Sequence, residues 1–253
     1  MIQGMKVNKK HIIDRFGRHA KTYSSVATVQ AYAASQLAVS LQTLSPASIL
    51  EIGCGTGLLS QHLLRQFPNA SCLLTDMAWP MLQECHSFLS SLSLANVNLA
   101  CMDGERLSVD SSFDLIVSSM TLHWFSDFYT SCQNIIKQLT SGGRFVFTLL
   151  GDSSFSEWHA ICKSENVPIA TPIFPSVESL LNHFPAMDIR VERHQKTYPS
   201  VHAFLHTLRQ LGATSTRPGY APLSVGSLRK LLRQFNQEIT ISYEVVQGCY
   251  IND

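Results

Sequence analysis

Charge is scarce in this 253-residue chain: Asp, Glu, Lys and Arg make up 15% of it and cancel to a net +1. With 45% hydrophobic residues, that balance describes a globular, enzyme-like chain, neither disordered nor fibrous, and no nucleic acid partner is expected. No apolar run approaches the roughly 20 residues that span a bilayer, so no membrane partner is expected either. The N-terminus is polar and basic, without the apolar segment of a signal peptide, which predicts a cytoplasmic protein. Seven cysteines (54, 72, 85, 101, 132, 162 and 249) are odd in number and never spaced C-x-x-C, which argues against a disulfide framework and a zinc site. The ten histidines show no H-E-x-x-H spacing, so no metal is expected.

What charge there is separates by sign. From Glu51 to Asp127 eight acids face only Arg65 and Arg106, whereas Lys6, Lys9, Lys10, Arg15, Arg18 and Lys21 meet a single acid, Asp14. The stretch from Pro199 to Gln237 carries Arg209, Arg217, Arg229, Lys230 and Arg233 and no acid at all. An acidic middle between basic ends suits a cationic ligand in the centre and an anionic partner outside.

Ser48-Ile-Leu-Glu-Ile-Gly-Cys-Gly-Thr-Gly57 is the most informative stretch. Ile49, Leu50 and Ile52 read as a strand buried on both faces, and Gly53, Gly55 and Gly57 as a tight turn opening a helix. A dinucleotide fingerprint places its third glycine one residue later, at Leu58. The shorter loop and Glu51, which would repel a pyrophosphate, point instead to S-adenosylmethionine, whose ammonium and sulfonium an acid attracts. Cys54 lies inside the loop, and its catalytic reading is weak because no histidine is positioned near it in sequence.

Around that stretch, the first 44 residues read as helices outside the sheet. A second strand, Ser71–Asp76, ends on an acid about 20 residues past the glycines, where a carboxylate accepts ribose hydroxyls. Met77 and Trp79 follow as candidates to flank an adenine. A third strand from Val97 ends at Asp103-Gly104, with Asp103 a candidate for the adenine amino group. The fourth, Phe113–Ser119, runs into an aromatic loop, Met120-Thr-Leu-His-Trp-Phe125. A helix from Asp127 to Leu139 ends at Gly142-Gly143 before a fifth strand, Arg144–Thr148. Five β-α repeats over 45–150 predict a doubly wound, mostly parallel Rossmann-like sheet with ligands at the strand carboxyl ends. Beyond Gly151 two late strands, Met187–Tyr198 and Ile239–Ile251, bring the sheet to seven, and the helices around them, with a loop at 217–222, form a lid over 151–253.

E-I-G-C-G-T-G (51–57), Asp76, Asp103-Gly104 and Ser118-Ser119 resemble class I S-adenosylmethionine-dependent methyltransferases. V-N-K-K-H-I-I-D-R-F-G-R-H-A-K-T-Y (7–23), His123-Trp124 and F-L-H-T-L-R-Q-L-G-A-T (204–214) extend the resemblance over nearly the whole chain. They narrow it to the malonyl-acyl-carrier-protein O-methyltransferase family of biotin synthesis. The resemblance implies methylation of the free carboxylate of a malonyl thioester carried by acyl carrier protein or coenzyme A. It places Glu51, Gly53, Gly55, Gly57, Asp76, Met77, Asp103, Gly104 and Ser119 around the cofactor. Tyr23 and Trp124 close and wall the site, and Arg209, Arg18 or Arg144 hold the substrate's anionic groups, since Ile173 stands where some relatives carry arginine. Two other readings follow from the residues. One is a methyltransferase of another small molecule, such as a quinone or polyketide precursor, with His123 as base; the other is a protein that binds the cofactor without turnover.

Overall fold

A computed structural model describes residues 9–92, 95–213 and 224–253. Lys6, the loop at 217–222 and the side chain of Lys230 lie outside the described residues. Two helices, α1 (Lys9–Val26) and α2 (Thr28–Ser40), precede a seven-stranded sheet. The core then alternates β1 (Ser48–Ile52), α3 (Ser60–Gln66), β2 (Ser71–Asp76), α4 (Trp79–Leu89), β3 (Val97–Cys101) and β4 (Phe113–Ser119). A single 3₁₀ turn, Leu122–Trp124, leads to α5 (Phe128–Ile136) and β5 (Leu139–Leu150). Then come α6 (Ser156–Ser164), α7 (Val177–His183), β6 (Asp188–Tyr198), α8 (Val201–Gln210), α9 (Val225–Gln234) and β7 (Ile239–Ile251).

The strand order is β3-β2-β1-β4-β5-β7-β6, with β1 to β5 parallel and β7 antiparallel to both neighbours. Because successive side chains of a strand point to opposite faces, the apolar run of β1 is buried both ways. Ile49 packs with α2, α3 and α4 residues on one face, whereas Leu50 and Ile52 pack with α5 and α7 on the other. A third cluster continues the first face past β5: Val29 of α2 meets Phe155, Trp158, Phe204 and Leu231 over Tyr243 and Val245 of β7. The helices after β5 therefore divide. Leu180 of α7 joins the α5 layer, while α6, α8 and α9 gather on the α2 side.

The fifth strand begins earlier than its glycines suggest. Helix α5, whose N-cap Asp127 accepts the Thr130 N–H, ends at Ile136, and β5 pairs from Leu139 opposite Phe113. A register shift between Phe113 and Leu115 absorbs the offset, so Gly142 and Gly143 fall inside the strand. Among the described residues no helix is long and apolar enough to cross a membrane.

Candidate active site

The sheet reverses its winding between β1 and β4, and a cleft opens there at the carboxyl ends of β1 to β4. It holds about 110 Å³ of space accessible to water-sized groups and opens to solvent. Glu51, Gly53, Gly55, Asp76, Met77, Asp103, Gly104 and Ser119 all line it. Gly57 does not: a Cβ there would lie 3.1 Å from Cys85 Sγ, so this glycine serves the packing of the loop on α4. Trp79 stays 57% exposed outside the cleft, so of the adenine-flanking pair only Met77 faces it.

Strand ends present carboxylates and backbone together. Gly53 has φ +71°, and a Cβ would come within 2.2 Å of the Thr121 side chain, whose hydroxyl donates to the Gly53 carbonyl at 3.1 Å. The loop is pinned across the sheet by Cys54 N–H to the Thr75 carbonyl, 2.8 Å. Asp76 accepts the Gly55 N–H at 2.9 Å and the Ala78 N–H at 2.8 Å, so it shapes the turn as well as facing the cleft. Burial raises its pKa to about 6 against the pull of those N–H groups. Glu51 is 1% exposed and accepts the Ser60 hydroxyl at 2.6 Å; burial first, and the charge of Asp76, push it up to about 7. A cleft that strips water from two carboxylates is poised for a cation that restores their charge.

Helix α1 straps the cleft at both ends. Its first residue, Lys9, forms ion pairs with Asp103 and Glu105, and Ser24 near its end shares a 2.8 Å hydrogen bond with Thr56 of the glycine loop. Asp103 thus faces the cleft with one oxygen engaged by Lys9 and the other accepting the Glu105 N–H. Between these ties, Ile12, Ile13, Phe16 and Tyr23 turn inward. Burial raises the Tyr23 phenol above its ordinary value, and the charge of Asp76 adds to it, so Tyr23 keeps its proton. The Cys54 thiol is also raised, by its contact with Cys85 and by burial, which leaves it a poor nucleophile.

A second cavity of about 50 Å³ adjoins the cleft, and Phe16, Tyr23, Gln30, Met120 and Trp124 line both. Trp124 meets Phe16 edge to face at 5.6 Å between ring centres, forming the partition. His123 lines this second cavity only. Burial lowers it to about 3, so the imidazole is neutral throughout the physiological range, and its Nδ1 is buried without a hydrogen-bond partner. Arg18 and Arg209 line neither cavity. Both are exposed, and each lies close enough to Arg15 for its charge, after burial, to lower the Arg15 pKa. Arg144 lies within β5 opposite Leu115 and does not line the cleft. Of the residues expected at the substrate, Tyr23, His123 and Trp124 line the second cavity; Lys9, Phe16 and Gln30 were not singled out as site residues. The signal that could have found the inward side of α1 is the helical spacing of Ile12, Ile13 and Phe16, all of which line the cleft.

The alternating architecture and the acid-lined cleft define an S-adenosylmethionine-dependent methyltransferase, and residues 49–143 match the family model described as "Methyltransferase domain". The chain is 37% identical over 93% of its length, and 90% of the relative, to malonyl-[acyl-carrier protein] O-methyltransferase of Magnetococcus marinus. It is 32% identical to the protein of the same name from Priestia megaterium, covering 83% of each chain. With the bifunctional biotin biosynthesis protein of Bordetella avium it shares 35% over 94% of this chain and 52% of that one. The chain belongs to the malonyl-[acyl-carrier protein] O-methyltransferase family. Solved methyltransferases share the fold at low identity. The N-methyltransferase NodS of Bradyrhizobium japonicum, bound to S-adenosylhomocysteine, covers 87% of this chain and 85% of its own at 18% identity and TM-score 0.51. A Bacillus halodurans structure covers 87% of this chain and 98% of its own at 11% identity and TM-score 0.62.

Proposed function

We propose that this protein transfers the methyl group of S-adenosylmethionine to the free carboxylate of a malonyl thioester on acyl carrier protein, in biotin synthesis. The observation that carries the reading is the pairing of two cavities across Trp124: one lined by Glu51, Asp76, Asp103 and Glu105, the other by no carboxylate at all among the described residues. The first suits a cationic cofactor and the second an anionic acyl group.

When bound, the cofactor supplies an electrophilic methyl: its S–C bond breaks as the carboxylate oxygen forms the new C–O bond, and the electron pair stays on sulfur. The residues present fit it. Gly55, with open space beside it, and Gly53, which makes room for Thr121, would present loop backbone to it; Asp76 would hold the ribose hydroxyls, Met77 would flank the base, and Asp103 would pair with the adenine amino group. Glu51, Gly104 and Ser119 complete the wall, while Gly57 supports the loop from behind.

A malonyl carboxylate is ionised at neutral pH, so the reaction calls for no general base. Neutral His123 and protonated Tyr23 accord with that. These residues hold the two reactants in line and keep water out, which is where an effective concentration of reactants arises. The first 44 residues act as the cover, 45–150 as the cofactor-binding core, and 151–253 as the wall of the acyl chamber. Outside, Arg18 and Arg209 form a basic rim for an acidic carrier protein and its phosphate-bearing arm. The protein works in the cytoplasm. Mass spectrometry of malonyl-carrier protein incubated with cofactor tests the reading: one methyl ester per carrier is expected, and an unmodified carrier would refute it.

A further inference from the structure

The second cavity leaves a question that Arg18 and Arg209, both outside it, do not answer: what holds the carboxylate. Among the described residues lining it, Lys196 is the sole cation. It has no carboxylate partner among the described residues, although β6 carries Glu192 and α6 carries Glu157 nearby: Glu192 is taken by Tyr32, and Glu157 by Arg193 and Ser242. Its Nζ donates to the Thr28 hydroxyl at 2.7 Å and sits 5.0 Å from the centre of the Tyr198 ring, which itself lines the cavity. The half-buried side chain is thus laid along the wall, its ammonium held by one exposed hydroxyl and one aromatic face.

Two further observations mark the same space as built for a polar guest. Gln30 Oε1 and His123 Nδ1 both line the cavity, and both are buried with no hydrogen-bond partner. An orphaned buried polar atom costs stability, and a ligand that pairs with it recovers that cost. The neutral imidazole can present a donor to a thioester carbonyl, and Gln30 lines both cavities, on the partition with the cofactor cleft.

We propose that Lys196 anchors the free carboxylate of the malonyl group, a proposal that rests on the malonyl-thioester reading above. An ammonium–carboxylate pair in a cavity without competing acids orients the nucleophile and selects acyl groups that end in a charge. It also favours turnover. Methyl transfer converts the carboxylate to a neutral ester, so the pair that held the substrate no longer exists and the product is bound more weakly than the substrate.

The experiment compares wild type with Lys196→Gln and Lys196→Arg. Binding of malonyl-coenzyme A and of its methyl ester is measured by calorimetry in the presence of S-adenosylhomocysteine, alongside steady-state kinetics with malonyl-carrier protein. Wild type is expected to favour the free acid over the ester by about tenfold or more, the scale of a charged hydrogen bond. Lys196→Gln should abolish that preference and raise KM by a similar factor while cofactor affinity stays unchanged. Lys196→Arg should restore much of the preference, which a merely structural tie between β6 and α2 would not predict. A Lys196→Gln protein with wild-type cofactor affinity that keeps the wild-type preference and KM overturns the anchor while leaving the malonyl reading standing. Failure of wild type to methylate malonyl-carrier protein at all overturns that reading, and the anchor with it.

Discussion

Cofactor binding should release protons, and Asp76 sets the amount. In the free protein its carboxyl is raised to about 6 because the cleft strips its hydration, even though the Gly55 and Ala78 N–H groups already favour the ionised form. A ligand that brings two positive charges and a pair of ribose donors stabilises the carboxylate. If binding restores the ordinary value of 3.8, then at pH 5 about ten in eleven free molecules must lose a proton before they bind, and the affinity at pH 5 is about tenfold weaker than at pH 8, or about 1.4 kcal/mol. Near pH 6 about half a proton leaves per cofactor bound on the same account. Glu51, raised to about 7, adds loss of the same sign between pH 7 and 5 to the extent that it senses the cofactor. Titration calorimetry in two buffers of different ionisation enthalpy reads both the affinity and the proton count. Asp76→Asn should remove the Asp76 share of the proton release and weaken binding at pH 8 by about 1.5–3 kcal/mol, the scale for a charged hydrogen-bond partner. An affinity that is flat from pH 8 to pH 5 in a folded protein, with no proton released, would refute the reasoning.

The same two carboxyls make a stability prediction. At these two carboxyls the native state holds more protons than the unfolded chain between about pH 4 and 7, a share of stability lost as pH rises, while buried neutral His123 contributes the opposite sign below about pH 6.5. Because cofactor acts on the carboxyls, saturating cofactor should raise Tm by more at about pH 8 than at about pH 5, which thermal melts with and without ligand compare. Gly53→Ala should abolish cofactor binding in calorimetry and lower Tm, because φ +71° costs a side chain about 1–2 kcal/mol before the clash with Thr121 is counted. With both substrates saturating, the single-turnover rate should not fall between pH 8 and 6, since His123 stays neutral there; a steep loss centred near pH 6.5 in stopped-flow data would instead reveal a working base. Charge reversal of Arg18 and Arg209 should reduce kcat/KM for malonyl-carrier protein and its salt dependence more than for malonyl-coenzyme A, because exposed charges act over about 8 Å near physiological ionic strength. An equal effect on both substrates would remove the carrier from this face.

The core was legible because its signals are local. Runs such as Ile49 to Ile52, ended by Gly53, record strand burial and a turn within a few residues, and β7 spans Ile239–Ile251 as its alternation indicates. Asp76 and Asp103 were legible for the same reason: a parallel sheet puts every strand end on one edge, so an acid closing a strand is placed by the fold class alone. The edge of β5 was less so, since the register shift at Phe113 is decided by pairing with a strand some 26 residues away in sequence.

What the sequence determined by itself is the alternating fold, the acid-bearing glycine turn and hence a cationic nucleoside ligand, each a property of short stretches read against backbone geometry. Only the tertiary structure decided what encloses that ligand. Lys9 reaches Asp103 across 94 positions, and Lys196 reaches Thr28 across 168. No periodicity links such pairs, because the packing of α1 and α2 over the sheet is set by apolar faces that do not specify which polar groups they bring together. The same packing left Arg209 on the outer surface and Lys196 on the cavity wall, though by residue type alone the two were equally fit to hold a carboxylate.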